Sequence, residues 1–391
     1  MRSGVKRLNV KSKSYSGLSE SPRSAHYDMP LTVVTVALLA FGVLMVYSAS
    51  MYNGKLNYGN EYFFMFKQLF GVVGALVAMF GTTLLDYRKL IKARFVIIAV
   101  SAVLLAVVLI PGVGVENYGA RRWLNLGIIT LQSSEVAKVG YVIFAAAYMS
   151  KNYKKMTTVR GFLPLIAVGA VLCLLIMLEP NMSVTMCVAL LMLTMLVIGG
   201  MRIKHLIFIL VPLALMVVAL IIIEPYRLAR LLAFIDPWAS PLDEGYQLLQ
   251  SFYSLGSGGL FGVGLFNSRQ KYLFLPFSES DFIFSIIGEE FGLIGCMIVM
   301  LAFCFMIYRL IVIAINAADR FGCYLSAGMA ALIGIQVLIN IAVVTGSIPP
   351  TGIPLPFVSA GSSSLMVFGA GIGMCQSVSL RSHASVRALL S

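Results

Sequence analysis

From Leu31 to Ser50 the chain carries no charged side chain and no histidine, and from Phe95 to Ile110 it does so again. Such runs recur along the whole sequence and constrain the fold more than any other feature. A lipid hydrocarbon core of about 30 Å takes roughly 20 helical residues to cross. In lipid every backbone N–H and C=O must be paired within the spanning structure, which leaves only helices and closed barrels. The runs do not alternate apolar with polar residues, so barrel strands are excluded. With 59% hydrophobic and 12% charged residues, lipid is the solvent for most of the chain. The expected fold is all-α, a polytopic membrane protein of about ten transmembrane helices near 31–50, 62–85, 95–112, 132–150, 161–178, 182–200, 206–223, 281–308, 323–345 and 360–380.

A net charge of +13 would suit a nucleic-acid partner, but the placement of the charges argues against one. Most of the 29 basic residues fall on one side of these spans, among them Arg88, Lys89, Lys92 and Arg94, then Lys151, Lys154, Lys155 and Arg160. The other side holds only Lys55, Arg121, Arg122, Arg227, Arg230, Arg269 and Lys271. By the positive-inside rule both termini are cytoplasmic. Residues 1–29 then form a basic, serine-rich cytoplasmic tail expected to be disordered, 30–380 the membrane domain, and 381–391 a cytoplasmic C-terminal tail. The first span is long enough to stay in the membrane as an anchor, so no cleaved leader is expected. Cys173, Cys187, Cys296, Cys304, Cys323 and Cys375 lie in or beside apolar spans without metal or disulfide spacing.

Little material is left for a cytoplasmic site, because the connections there are short. The outer face has one long segment, 224–280, between the seventh and eighth helices; its prolines and its cluster of Gly256, Gly258, Gly259, Gly262 and Gly264 forbid a pair of spanning helices. Two shorter outer segments are Pro111–Leu131 and Ser347–Ser359. Within the long one, Leu228, Leu231, Leu232 and Ile235 recur at helical spacing, with Arg227 and Arg230 on another face. That pattern suits a short helix at the interface, its arginines either meeting lipid phosphates or snorkelling to water.

A charge at membrane depth is costly, so each one is a functional candidate. Asp281 stands at the outer start of a strongly apolar helix, and Ser285, Gly288 and Gly292 share its face. Small residues there either leave room beneath the carboxylate or let a neighbouring helix pack close. Asp281 could equally cap its helix. Glu289 and Glu290 point to different sides, and Glu290 is expected to satisfy hydrogen bonds within the bundle. Glu135 and Lys138 are spaced as a pair at the start of the fourth span. They form a buried structural ion pair, or else Lys138 joins Arg122 and Lys271 around an anionic headgroup. His26, His205 and His383 fall on the cytoplasmic side and are assigned no chemistry.

Taken in order, Val46-Tyr-Ser-Ala-Ser50, Gly119-Ala-Arg-Arg-Trp-Leu124, Gln132-Ser-Ser-Glu-Val-Ala-Lys138, Gly245-Tyr-Gln247, Gly256-Ser-Gly-Gly259, Gly262-Val-Gly264, Asp281-Phe-Ile-Phe284, Gly288-Glu-Glu290 and Thr351-Gly-Ile-Pro-Leu-Pro-Phe357 resemble the SEDS family, which includes FtsW, RodA and SpoVE. Glu179-Pro180 looks more like the FtsW and SpoVE branch. The sequence departs from the family pattern at Gln132-Ser-Ser-Glu135, at Pro276-Phe-Ser278 and at Ser359-Ala-Gly-Ser-Ser363.

The resemblance implies a peptidoglycan glycosyltransferase that polymerises lipid II at the outer face of the cytoplasmic membrane. It implies Asp281 as the essential aspartate and general base, and places Glu135, Lys138, Arg122, Lys271, Lys67 and Ser359 on substrate-binding positions. Expected partners are lipid II, a class B penicillin-binding transpeptidase, other division or elongation machinery and membrane lipid. A divalent cation, Mg or Mn, is the one cofactor such chemistry could recruit. A lipid II flippase and a structural division scaffold are the rival readings. The gathering of charges at the outer ends of the spans favours surface chemistry over transport.

Overall fold

In the computed structural model, residues 26–382 are described apart from 118–119, 126, 128–129, 203, 208–210, 212–224 and 244. The long helices are α1 (Met29–Tyr58), α2 (Phe63–Leu84), α3 (Lys89–Val108), α4 (Ser133–Asn152), α5 (Val159–Leu178), α6 (Met182–Ile198), α9 (Ile283–Ile315), α10 (Arg320–Val344) and α11 (Ser362–Arg381). Each matches one expected span. The remaining span, 206–223, lies almost wholly outside the described residues, as do most of the two tails. Seven of the helices are long and apolar enough to cross a membrane on those grounds alone. The long outer segment supplies two shorter helices, α7 (Pro225–Ile235) and α8 (Tyr246–Gly258). Leu232 and Ile235 of α7 are exposed, as the interfacial-helix expectation requires, whereas the side chains of Arg227 and Arg230 lie outside the described set.

Local chemistry fixes the helix ends. Asp28 caps α1 by accepting the Leu31 N–H, with Pro30 in the first turn. Gly59, at φ 66°, stops it by donating back to Lys55. Asn181 and Asp319 cap α6 and α10 in the same way as Asp28. At the cytoplasmic end, Arg309 of α9 grips Asp28 at 2.6 and 3.1 Å and Gln376 of α11 closes on the Asp28 backbone, tying three helices together. Small residues set the closest approach of helices: a Cβ on Gly369 or Gly373 of α11 would fall 2.4 or 2.1 Å from a main-chain oxygen of α2. Val73, Val77 and Phe80 of α2 and Val96, Val100 and Val103 of α3 turn outward, as helices bathed in lipid do.

One outer segment departs from the all-α expectation. Here three strands form an antiparallel sheet, β1 (Gly114–Asn117), β2 (Ala120–Asn125) and β3 (Thr130–Gln132). The strands are short and lie outside the spans, so the argument from spanning runs never reached them. Their role is positional, since β3 leads directly into α4 and β2 carries Arg121 and Arg122.

The second departure is a break in α9. Gly292 leaves helical geometry at φ 66° and ψ −165°. Leu293 and Ile294 therefore donate to Gly259 and Leu260 of the outer segment, at 2.9 and 3.2 Å. The carbonyls they would have used, on Glu289 and Glu290, accept from Val263 and Gly264 at 2.9 and 3.1 Å. The glycine cluster thus stands in for part of a turn of a spanning helix and re-pairs these two donors and two acceptors. Both Gly262 and Gly292 hold positive φ, and a Cβ on either would sit 2.5 Å or less from backbone. Gly292→Ala and Gly262→Ala are each expected to cost at least about 2 kcal/mol, seen as a lowered thermal midpoint in detergent. Gly81→Ala, in α2 with nothing within 4 Å, should be neutral or slightly stabilising.

Candidate active site at the outer end of the bundle

Asp281 lies two residues before α9, and the residue at the cap position is Phe282, with no side-chain cap bond. Capping therefore does not explain the aspartate. The backbone around it is clamped instead. The carbonyl of Glu279 accepts from Ala360, that of Ser280 from the Ser359 hydroxyl at 2.6 Å, and that of Asp281 from the Asn340 amide at 2.8 Å. Ser359 also accepts the Leu355 N–H at 2.8 Å, and Asn340 also donates to the Ile353 carbonyl at 2.8 Å. The proline-rich outer segment and α10 thus hold three consecutive peptides and leave the carboxyl alone. Among the described residues it takes no hydrogen bond. It is half-buried, and it faces Gly352, where an added Cβ would lie 3.0 Å from Oδ2. Loss of water, then the nearby Glu279 carboxylate, push its pKa up to about 7, against a downward pull from Arg122.

Arg122 reaches this place from β2. Its Nε donates to the Glu179 carbonyl at 3.3 Å and its Nη2 to the Pro180 carbonyl at 2.6 Å, in the turn between α5 and α6. Ser183, at the start of α6, accepts the Gly352 N–H at 3.3 Å, which joins that turn to the loop under Asp281. Glu179 is itself completely buried. One of its oxygens accepts from Ser133 at 3.1 Å, and among the described residues the other has no hydrogen-bond partner. The sequence marked Glu179 only as a branch feature. Its one signal was an acid beside proline between two closely spaced spans.

The other expected site residues are distributed differently. Glu135 and Lys138 pair at 2.7 Å with both side chains 1% exposed, and Ser364 donates to the second Glu135 oxygen at 3.2 Å. Lys271 is sealed against Glu290 at 3.3 Å, with Ser48 donating to the same carboxylate oxygen at 2.6 Å. Glu289 instead receives the Arg269 and Gln270 N–H groups and the Ser268 hydroxyl, so the two neighbouring acids pin one stretch of the outer segment from different sides. Lys67 is exposed, with its ammonium 4.5 Å from the centre of the Phe63 ring. Of the three cations expected to form a clamp, Arg122 lies at the outer end near Asp281, while Lys138 and Lys271 pair with buried carboxylates.

The small-residue face below Asp281 is filled. Ser251 and Ser285 share a hydrogen bond at 2.8 Å, Ser254 donates to the Ser285 carbonyl, and Gly258 approaches Gly288 so closely that a Cβ would overlap its carbonyl. Of the two readings of that face, close helix packing by α8 is the one realised. Among the described residues no three His, Cys, Asp or Glu side chains gather to hold a metal ion.

Residues 29–384 match the family model FTSW_RODA_SPOVE, described as cell cycle protein. Stage V sporulation protein E of Bacillus subtilis is 38% identical over 354 residues, 90% of this chain and 96% of that one. A probable peptidoglycan glycosyltransferase FtsW of Trichlorobacter lovleyi is 38% identical over 368 residues, covering 91% and 94%. Among solved structures, a chain from a peptidoglycan synthase complex that coordinates polymerization and crosslinking superposes with a TM-score of 0.76 at 26% identity, covering 91% and 98%. The rod shape determining protein RodA of Thermus thermophilus shares the fold at a TM-score of 0.66 and 24% identity, over 91% and 97%. The chain belongs to the FtsW/RodA/SpoVE family of multi-pass proteins of the bacterial cytoplasmic membrane.

Proposed function

We propose that this protein is a peptidoglycan glycosyltransferase that polymerises lipid II on the outer face of the membrane. The observation that carries the reading is the Asp281 carboxyl: rigidly held through its backbone, unbonded among the described residues, and poised near neutrality. A base needs a pKa near the working pH and a lone pair not already committed, and both requirements are met here. Asp281 takes the proton from the acceptor sugar hydroxyl as that oxygen attacks the anomeric carbon of the donor. The anomeric bond to the lipid pyrophosphate breaks with inversion, and the leaving group carries away the bond's electron pair. Arg122, fixed by two carbonyls at the same outer end, stabilises the negative charge that develops there.

The buried pairs Glu135–Lys138 and Lys271–Glu290 hold α4 and the outer segment in place around this chemistry. Ser359 acts through the Ser280 carbonyl rather than on substrate, and exposed Lys67 is available to a second phosphate or to lipid headgroups. A class B penicillin-binding transpeptidase, within the division, elongation or sporulation machinery, is the partner that would cross-link the product. Labelled lipid II incubated with the purified protein should yield polymer. Translocation of lipid II in liposomes with no polymer formed would point to a flippase instead, and full cellular function without the Asp281 carboxyl would point to a scaffold.

A further inference from the structure

Gln68, in the second turn of α2, is 2% exposed, and an amide buried there needs partners at both of its ends. It finds both on one turn of the chain. Its Nε2 donates to the Ser359 carbonyl at 3.1 Å, and its Oε1 accepts the Gly361 N–H at 3.3 Å. Gly71, one turn further along the same face of α2, lets that turn close in, since a Cβ there would lie 2.7 Å from the Ser362 Cα. The gripped turn is the one that holds the stretch before Asp281. The Ser359 hydroxyl donates to the Ser280 carbonyl at 2.6 Å, and the Ala360 N–H to the Glu279 carbonyl at 2.9 Å. We infer that Gln68 is a positioning residue for Asp281, acting from α2 through residues 359–361.

The inference rests on the glycosyltransferase reading and deepens it. Gln68 does not carry the packing of α2 on α11. The close approach of those helices is set at Gly369 and Gly373, and Thr82 and Thr83 of α2 donate to the Ala370 and Gly373 carbonyls at 3.0 and 3.3 Å. The bonds of Gln68 go instead to the non-helical residues ahead of α11, one on each side of Ala360. A planar amide presents a donor and an acceptor at a fixed separation, so it places two peptides at once. An ammonium, with no acceptor, or a carboxylate, with no donor, would not. With those peptides fixed, the Ser359 hydroxyl and the Ala360 N–H stand where the Ser280 and Glu279 carbonyls meet them. A base must lie within hydrogen-bond reach of the hydroxyl it serves, so a small drift of this stretch costs rate rather than binding.

Gln68→Met keeps the length of the side chain and removes both bonds. In purified full-length protein whose thermal midpoint shows it folded, the variant should polymerise lipid II with kcat lowered roughly 10- to 100-fold and KM within about twofold of wild type. Ser359→Ala cuts the same path one step further on. The double variant should therefore be no more than about twofold slower than the slower single variant, whereas independent losses would multiply. Hydrogen exchange reads the link without turnover. In Gln68→Met the amides of 279–282 and 359–361 should exchange roughly fivefold faster or more, while those of β1 and β2 keep their wild-type rates. Should that variant not fold, Gln68→Glu takes its place in every comparison, since its carboxylate keeps an acceptor for the Gly361 N–H and lacks only the donor to Ser359. A raised KM at unchanged kcat, losses that multiply, or loosening of 359–361 that stops short of 279–282 overturns the inference. The two proposals fail separately. Wild type that makes no polymer while the exchange pattern holds removes the glycosyltransferase reading alone, whereas polymer made at the wild-type rate by folded Gln68→Met protein removes only this one.

Discussion

Asp281→Asn protein is expected to fold, to bind lipid II, and to polymerise it about 10²- to 10⁴-fold more slowly than wild type, the range over which a positioned general base contributes. Asparagine keeps the shape of the side chain, and the three carbonyls that fix this stretch belong to the backbone, so the scaffold should survive the change. The pH dependence has a definite sign. The base works only as the carboxylate, so wild-type rate should climb as pH rises through about 7 and fall away below it. Stability runs the other way: an acid whose pKa is raised by folding holds its proton more tightly in the native state, and native stability is lost as pH rises from the ordinary carboxylate range towards 7. Asp281→Asn removes that penalty. At pH above 7 the inactive variant should therefore melt at a higher temperature than the active enzyme, as expected where a strained functional group is relieved. A folded Asn variant that retained a third or more of wild-type polymerisation would end the assignment of Asp281 as base.

Why some of this could be read from residues alone and some could not has physical causes. Nine helices coincide with expected spans, because apolar length against bilayer thickness is a one-dimensional property, although α1 runs on to Tyr58 and α9 to Ile315, past the expected ends. The outer sheet escaped because its strands are only 4, 6 and 3 residues long, too short for alternation to register. Gly292 was legible as a small residue on the Asp281 face but not as a helix break. The break depends on donors and acceptors supplied by residues 259–264, which are adjacent only in the folded chain.

The site divides along the same line. Asp281 stood out because a charge at the edge of an apolar helix is costly wherever the rest of the chain lies. Capping and catalysis could not be told apart until the helix start was seen at Ile283. Glu135 and Lys138 are neighbours on one helix, so their pairing was visible as spacing. Glu179 reads in sequence only as a branch feature, because its burial and the grip of its carbonyl on Arg122 join residues 57 apart. Lys271 was assigned towards substrate because its partners, Glu290 and Ser48, lie 19 and 223 residues away.

That last placement leads to a sharp expectation. Lys271 and Glu290 have no side-chain exposure, so removing either leaves the other as an uncompensated buried charge, at a cost of about 3–5 kcal/mol. Lys271→Met and Glu290→Gln, made singly, should therefore yield little folded protein in detergent. A buried pair replaced as a unit by groups of similar volume is often nearly neutral. The double variant Lys271→Met with Glu290→Gln is expected to recover most of the lost stability, with Ser48 still able to donate to the new amide. Its catalytic behaviour then decides the role of the lysine. If the pair only anchors the outer segment to α9, the double variant will polymerise lipid II at near the wild-type rate with an unchanged KM. A variant restored in stability but with KM raised tenfold or more would return Lys271 to the substrate and require that the outer segment open to expose it.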